Sequence, residues 1–253
     1  MSLAIKKIFP NFYKFSKNFT NQIPVKSSLW DKKTYKLNYG IHRMLKLWKN
    51  KGLIEEADSV YQSYSGGDFI DIGAYSGFYS FLLSPKAKDY DNFISCEPDL
   101  NIHSELLQNL SILKKNFKAI NFSVVTQPIN NGKDVVIAHD DWGHPCFLDY
   151  DQVEANNKNL KKKFKSSTVD EIVKSFSLKP SFIKIDTEGA EFDILEGMRE
   201  TMKNYKPKIM LEKHPTMIPE NFSLSNLDKT LKDFDYKSNL VNKSELAIRE
   251  IWE

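Results

Sequence analysis

From residue 67 onward the chain alternates short apolar runs with amphipathic segments, and few architectures accommodate that alternation. The runs Asp68–Ile72, Asn92–Cys96, Ala119–Val125, Ser181–Ile185 and Lys208–Leu211 are too short for ordinary helices, and each lies near a turn signal or an acid. Between them, Leu106, Leu107, Leu110 and Leu113 recur at helical spacing, as do Ile194, Leu195, Met198 and Met202. Thr168 and Glu171 stand three apart ahead of Ile172, Val173 and Phe176, a capping-box pattern that starts a helix. Strands alternating with helices predict βα units around a mostly parallel sheet. Leu224, Leu227, Leu231 and Phe234 predict one more helix. After it, DYKSNLV and ELAIREIW predict a strand pair joined by an Asn-Lys-Ser turn, giving the sheet an antiparallel C-terminal edge.

A chain of 253 residues with 41% hydrophobic content can bury one α/β core and carry an extension. The extension is residues 1–65, where Phe9, Phe12, Tyr13, Phe15 and Phe19 have loosely helical spacing and precede IHRMLKLWKN and the stretch 53–64. These segments predict a helical cover over a main domain of residues 66–253. Residues 128–165 fit neither pattern and read as an insertion at the sheet's edge or as a substrate loop. Lys and Arg number 36 against 33 acids, a net charge of +3, so the surface is mixed and does not call for nucleic acid as a partner. The run Lys161–Lys163 reads as a solvated charged segment, with a nucleic-acid partner as the alternative it raises. Two cysteines, Cys96 and Cys146, cannot build a disulfide framework. No run is long enough to cross a membrane, and the start MSLAIKKIFPNFYKF lacks a signal-peptide pattern, so a cytoplasmic protein is expected.

In an open α/β sheet, ligands sit outside the carboxyl ends of the strands. GDFIDIGAYSGFYSF puts Gly73 and Gly77 just there, beside Asp71, and glycine lets a chain turn sharply and a ligand approach closely. Twenty residues after Gly77, Glu97 closes the second strand, where a carboxylate can accept hydrogen bonds from both ribose hydroxyls of a nucleoside. The dinucleotide fingerprint is absent, since Tyr75 stands where a middle glycine would, and so is the P-loop. A nucleoside ligand without a diphosphate remains, and S-adenosylmethionine fits.

FIDIGAYSGFYS, the SCEPD acid, TVDEI, FIKIDTEGAEFDILEGM and PKIMLEKHP together resemble the FkbM family of S-adenosylmethionine-dependent methyltransferases, over about residues 66–215. The resemblance implies the seven-stranded, Rossmann-like class I methyltransferase fold and, in several members, O-methylation of sugar hydroxyls on a glycan or small-molecule acceptor. It implies that Asp71, Gly73, Ala74 and Gly77 surround the methionine end of the cofactor and that Glu97 holds the ribose. An RNA methyltransferase and a non-catalytic binding module on the same fold are the competing readings.

Methyl transfer to an alcohol needs alignment of the acceptor and removal of its proton, so a carboxylate or histidine within reach is expected. Asp186 ends the fourth strand, and Glu212 and His214 end the fifth. Asp186 is expected to hold cofactor or substrate, and Glu212 or His214 to take the proton, with an acid limb near the ordinary imidazole pKa of about 6.5. Glu188 is a secondary substrate contact, although it and Glu191 also suit a helix N-terminus. Trp142 and His144, in DDWGHPC, are further candidate substrate contacts. Asp186, Glu212 and His214 also form a mixed set of the kind that divalent ions accept, but no metal is expected.

Overall fold

The computed structural model describes residues 23–26, 34–37, 53–113, 116–120, 123–124, 136–139, 145–148, 166–217 and 223–253. Strands β1 (Ile23–Lys26) and β2 (Thr34–Leu37) pair antiparallel, with Ile23 opposite Leu37. An all-helical cover was expected here. Both segments alternate with period two (Ile23 and Val25, Tyr35 and Leu37), which is strand patterning. Helix α1 (Leu53–Ser63) does follow the helical reading. The aromatic run 9–19 and IHRMLKLWKN lie outside the described residues.

The βα alternation then unfolds as β3 (Asp68–Ile72), α2 (Phe78–Leu83), β4 (Asn92–Cys96), α3 (Leu100–Leu110) and β5 (Asn116–Ile120). Short strands β6 (Ser123–Val124), β7 (Val136–His139), β8 (Pro145–Leu148) and β9 (Ser166–Ser167) form two small two-stranded sheets. The chain returns through α4 (Val169–Ser175), β10 (Pro180–Ile185), α5 (Glu191–Glu196), α6 (Arg199–Tyr205) and β11 (Lys208–Lys213). It ends with α7 (Leu224–Lys232), β12 (Ser238–Lys243) and β13 (Ile248–Trp252). Thr168 caps α4 with the capping box its sequence announces. The stretch expected as one strand at 119–125 instead contributes its start to β5 and two residues to β6. The helix expected through Met202 is interrupted at Gly197 and continues as α6.

Seven strands form the main sheet in the order β12-β13-β11-β10-β3-β4-β5. β3, β4, β5, β10 and β11 run parallel, while β13 lies antiparallel between β11 and the edge strand β12. This is the seven-stranded, mostly parallel sheet with an antiparallel C-terminal edge that the sequence predicts. The chain winds outward in opposite directions from β3 and β10, so the topological switch point, where ligands settle in such sheets, lies between those two strands.

The side-chain period of two sorts the sheet's faces. On one face Ile70, Ile72, Ile94, Ile183, Ile185, Ile209 and Leu211 pack beneath α4–α7. On the other, Phe69, Phe93 and Phe182 sit with Tyr64 of the cover and Phe78, Tyr79 and Leu82 around α2. Enclosing rings of this size contributes roughly 1.5–3 kcal/mol each. One row further along that face, Asp71 is level with Ser95 and Lys184. Beyond it Glu212 faces Arg249 across β11 and β13. The apolar layer therefore gives way to a buried polar one at the carboxyl ends of the strands, next to the switch point.

Candidate active site

The turn after β3 is set by backbone requirements. Gly73 and Gly77 have φ of +76° and +88°, and the N–H groups of Gly73 and Ala74 donate to the Cys96 carbonyl at 3.1 and 3.0 Å. The space left by the missing side chains is taken by the protein itself. A Cβ on Gly73 would stand 1.8 Å from the carbonyl oxygen of Asp186, and one on Gly77 would stand 2.8 Å from Leu106 Cδ1. The sequence allows these glycines two uses, a sharp turn and the close approach of a ligand. The turn is tight enough that Gly73 admits the end of β10 and Gly77 admits α3.

Tyr75, with φ +49°, turns its N–H toward Glu97 and donates to Oε2 at 3.1 Å, while Asp99 N–H donates to Oε1 at 2.9 Å. Asp99 in turn caps α3 by accepting from Asn101 and Ile102 N–H. Glu97 is thus fixed between the glycine loop and the start of α3. Burial pushes its carboxyl up to about 8, against the opposing effect of the two N–H donors.

Asp186 follows β10 and is joined to β3 by its N–H, which donates to the Ile72 carbonyl at 3.2 Å. The buried ammonium of Lys184 lies 3.1 Å from Asp186 Oδ2 and 3.7 Å from Asp71 Oδ1, reaches the Gly73 carbonyl at 3.3 Å and stands 5.0 Å over the Tyr79 ring. Burial works against the charge on Lys184, but Asp186 and Asp71 outweigh it and raise the pKa. Burial likewise opposes ionisation of Asp186, yet Lys184 and His214 hold it below the usual carboxylate range. Asp71 is fully enclosed, neither of its oxygens has a hydrogen-bond partner among the described residues, and burial raises it to about 6.

His214 stands at the end of β11 with both ring nitrogens engaged by acids. Nδ1 is 2.9 Å from Glu191 Oε1, which also accepts the Gly189 N–H at 3.1 Å. Nε2 faces Glu188 Oε2 at 3.5 Å, Glu212 Oε1 at 3.6 Å and Asp186 Oδ1 at 3.8 Å. Burial would lower the imidazole pKa, but the Glu191 hydrogen bond and the charges of Asp186, Glu191 and Glu188 carry it up to about 9. This lies above the ordinary imidazole value on which the expected acid limb rests. Glu212 also binds Arg249, whose Nε lies 2.7 Å from Glu56 of α1, and Glu56 accepts a hydrogen bond from Tyr79. Burial, together with the charges of Asp186 and Glu56, raises Glu212.

Six carboxylates (Glu56, Asp71, Asp186, Glu188, Glu191 and Glu212) therefore surround Lys184, Arg249 and His214. The negative surplus draws protons onto the cluster and suits a cationic ligand. Asp186, Glu212 and His214 offer ligand atoms within 4.8 Å of one another, a spacing that could hold a divalent ion. Lys184 and Arg249 already neutralise two of those three groups.

The structure thus brings Asp71, Gly73, Ala74, Asp186, Glu188, Glu212 and His214 to one end of the sheet, with Gly77 and Glu97 on the flank formed by β4 and α3. Trp142, His144 and Lys161–Lys163 lie outside the described residues. Sequence reasoning passed over Lys184, Arg249 and Glu56, and gave Glu191 only a helix-end role. A lysine two residues before Asp186 in an otherwise apolar strand was the available signal for Lys184.

Among the described residues, no helix is long and apolar enough to cross a membrane. No curated protein matches the chain. The FkbM methyltransferase from Methylobacillus flagellatus KT is similar in structure, at 17% identity and a TM-score of 0.49 over 75% of this chain. This chain spans only 44% of that protein. The precorrin-6y C5,15-methyltransferase from Geobacter metallireducens GS-15 is similar at 13% identity and a TM-score of 0.43, covering 78% of this chain and 84% of that one. M. capricolum TrmK in complex with S-adenosyl-homocysteine is similar at 14% identity and a TM-score of 0.39, covering 78% of this chain and 66% of that one. Residues 71–238, more than half of the chain and the whole span from Asp71 through His214, match the methyltransferase FkbM domain, and the chain belongs to that family of methyltransferases.

Proposed function

We propose that the chain is an S-adenosylmethionine-dependent O-methyltransferase of the cytoplasm, acting on a hydroxyl of a sugar in a glycan or glycosylated metabolite. The observation that carries this reading is the convergence of Asp186, Glu212 and His214 beside the Gly73 turn at the switch point. The catalytic domain is residues 66–253, with residues 1–65 as its cover, and helix α1 of the cover braces the domain through Glu56.

The chain's residues fit the cofactor. The carboxylate surplus around Asp186 suits a sulfonium cation, and Glu97 at the end of β4 suits ribose hydroxyls. Asp71, Gly73, Ala74, Gly77 and Asp186 would hold the methionine side and Glu97 the ribose. Bound there, S-adenosylmethionine supplies an activated methyl group to an oxygen nucleophile. Asp186 and Glu212 orient the acceptor hydroxyl, Glu188 contacts the acceptor, and His214 takes the proton at Nε2. Trp142 and His144 are assigned to the acceptor side from sequence alone.

The acidic rim favours an uncharged polyol and repels a polyanion, which supports a sugar over RNA. Incubation with methyl-labelled S-adenosylmethionine is expected to label oxygen in at least one member of a panel of neutral glycosides. Label appearing in RNA, with none in any glycoside, would sink the sugar reading.

A further inference from the structure

We propose that Glu191 is the positioning residue of the reaction: it fixes His214 as the Nδ1–H tautomer and so presents Nε2, with its lone pair, to the acceptor hydroxyl. The proposal rests on the function argued above and adds a group that function does not require. An imidazole left to itself favours neither nitrogen strongly enough to guarantee a base at a given point in space, and the partner of one nitrogen decides the role of the other. In this chain that partner is built in. Glu191 is 2% exposed and His214 is 6% exposed. Their contact is 2.9 Å, and the same Glu191 oxygen is pinned by the Gly189 N–H. Gly189, with φ +113°, would bring a Cβ to 2.9 Å from the Met217 carbonyl, so the turn ahead of α5 is held against the segment after β11. The carboxylate and the imidazole are thereby carried on two pieces of chain that pack on each other.

The acids facing the ring from the other side approach Nε2, with Glu188 at 3.5 Å, Glu212 at 3.6 Å and Asp186 at 3.8 Å. Two of these are already engaged by cations, Asp186 by Lys184 and Glu212 by Arg249. Glu191 receives no such cation among the described ion pairs, and its charge is directed at His214. In the reaction, the acceptor O–H gives its proton to Nε2 while the oxygen's electron pair forms the new O–C bond. The C–S pair departs with sulfur, and the imidazolium returns the proton to solvent. Glu191 Oε1 stays against Nδ1 as the imidazolium forms.

The test uses the full chain labelled with ¹⁵N-histidine, in which there are only five histidines to resolve. His214 is identified by its loss in His214→Ala. At a pH above its titration, His214 is expected to show the Nδ1–H tautomer, and in Glu191→Gln its midpoint is expected to fall from about 9 toward the reference value of about 6.5. Glu191→Asp keeps the charge but shortens the reach, and is expected to recover part of the shift. In turnover, Glu191→Gln moves the acid limb to lower pH and reduces kcat by roughly tenfold or more while leaving the cofactor's Kd near wild type. An Nε2–H tautomer in the wild-type chain, which needs no variant to observe, overturns the proposal. So does an unchanged titration in Glu191→Gln, or selective broadening of His214 by stoichiometric Mn²⁺, which would show Nε2 committed to a metal. The tautomer is read without any acceptor or cofactor, so failure of the dyad is distinguishable from failure of the methyltransferase reading.

Discussion

His214→Ala lowers methyl-transfer turnover by roughly 10²–10⁴-fold and leaves affinity for S-adenosylhomocysteine close to wild type, because a base acts in the transition state and not in cofactor binding. The pH profile separates this from a merely structural loss. Glu191, Asp186 and Glu188 outweigh burial and raise the imidazole to about 9. The unliganded enzyme therefore holds its base protonated at neutral pH, and kcat/KM rises with pH toward about 9. A sulfonium cation disfavours the imidazolium, so the limb in kcat lies at lower pH than the limb in kcat/KM. The sign for stability follows the same shift. The pairing stabilises the fold below the unfolded-state histidine pKa, and that contribution is lost as pH rises through about 9. Wild-type turnover in His214→Ala at every pH would remove His214 from the chemistry and leave Asp186 or Glu212 to take the proton.

Gly73→Ala is expected to be the most damaging single substitution in the turn. Its Cβ would lie 1.8 Å from the carbonyl oxygen of Asp186, a backbone atom that can move only if β10 moves relative to β3. The left-handed φ of +76° adds a conformational cost of about 1–2 kcal/mol for an L-residue. With the overlap included, a loss of roughly 3–5 kcal/mol is expected, the range reached by named backbone and packing defects. In a chain of this size that corresponds to a fall in Tm on the order of 10 °C, measurable by circular dichroism or calorimetry. Gly77→Ala provides the internal comparison. Its Cβ meets the end of the Leu106 side chain, which can rotate away, so its loss is smaller. Equal melting temperatures for wild type and Gly73→Ala would show that β3 and β10 are not packed this closely.

The strands nearest the switch point were legible because each is an apolar run closed by an acid or a glycine. Asp68–Ile72 and Asn92–Cys96 match the observed β3 and β4 to the residue. β5 was harder: it is largely half-exposed, with Lys118 in its middle, and its alternation is weaker than that of a strand buried on both faces. In the cover, Ile23–Lys26 and Thr34–Leu37 were hidden by the aromatic residues around them, whose spacing suggests helix. Asp186, Glu212 and His214 were legible as a candidate site because strand ends in such a sheet converge. Their partners were not. Glu191 meets His214 across a separation of 23 residues, and Arg249 meets Glu212 across 37. Pairings of that kind depend on register and packing, and a sequence shows a carboxylate at a helix start without showing which side chain it faces. The same holds for the glycines: that Asp186 and Leu106 take up the space of their missing side chains depends on how β10 and α3 pack.

If the Gly73 turn and Glu97 bind the cofactor, calorimetric titration of the full chain with S-adenosylhomocysteine will show it. At pH 7 in buffers of differing ionisation heat, one molecule is expected to bind with net release of protons. Glu97, raised to about 8, must ionise to accept the ribose hydroxyls. In Glu97→Ala the Kd is expected to weaken roughly ten- to hundredfold, as hydrogen bonds to a charged acceptor are lost and partly replaced by solvent, and the proton release disappears. No binding at high micromolar ligand to folded wild-type protein, or binding that Glu97→Ala leaves unchanged in both affinity and proton release, would contradict cofactor binding there.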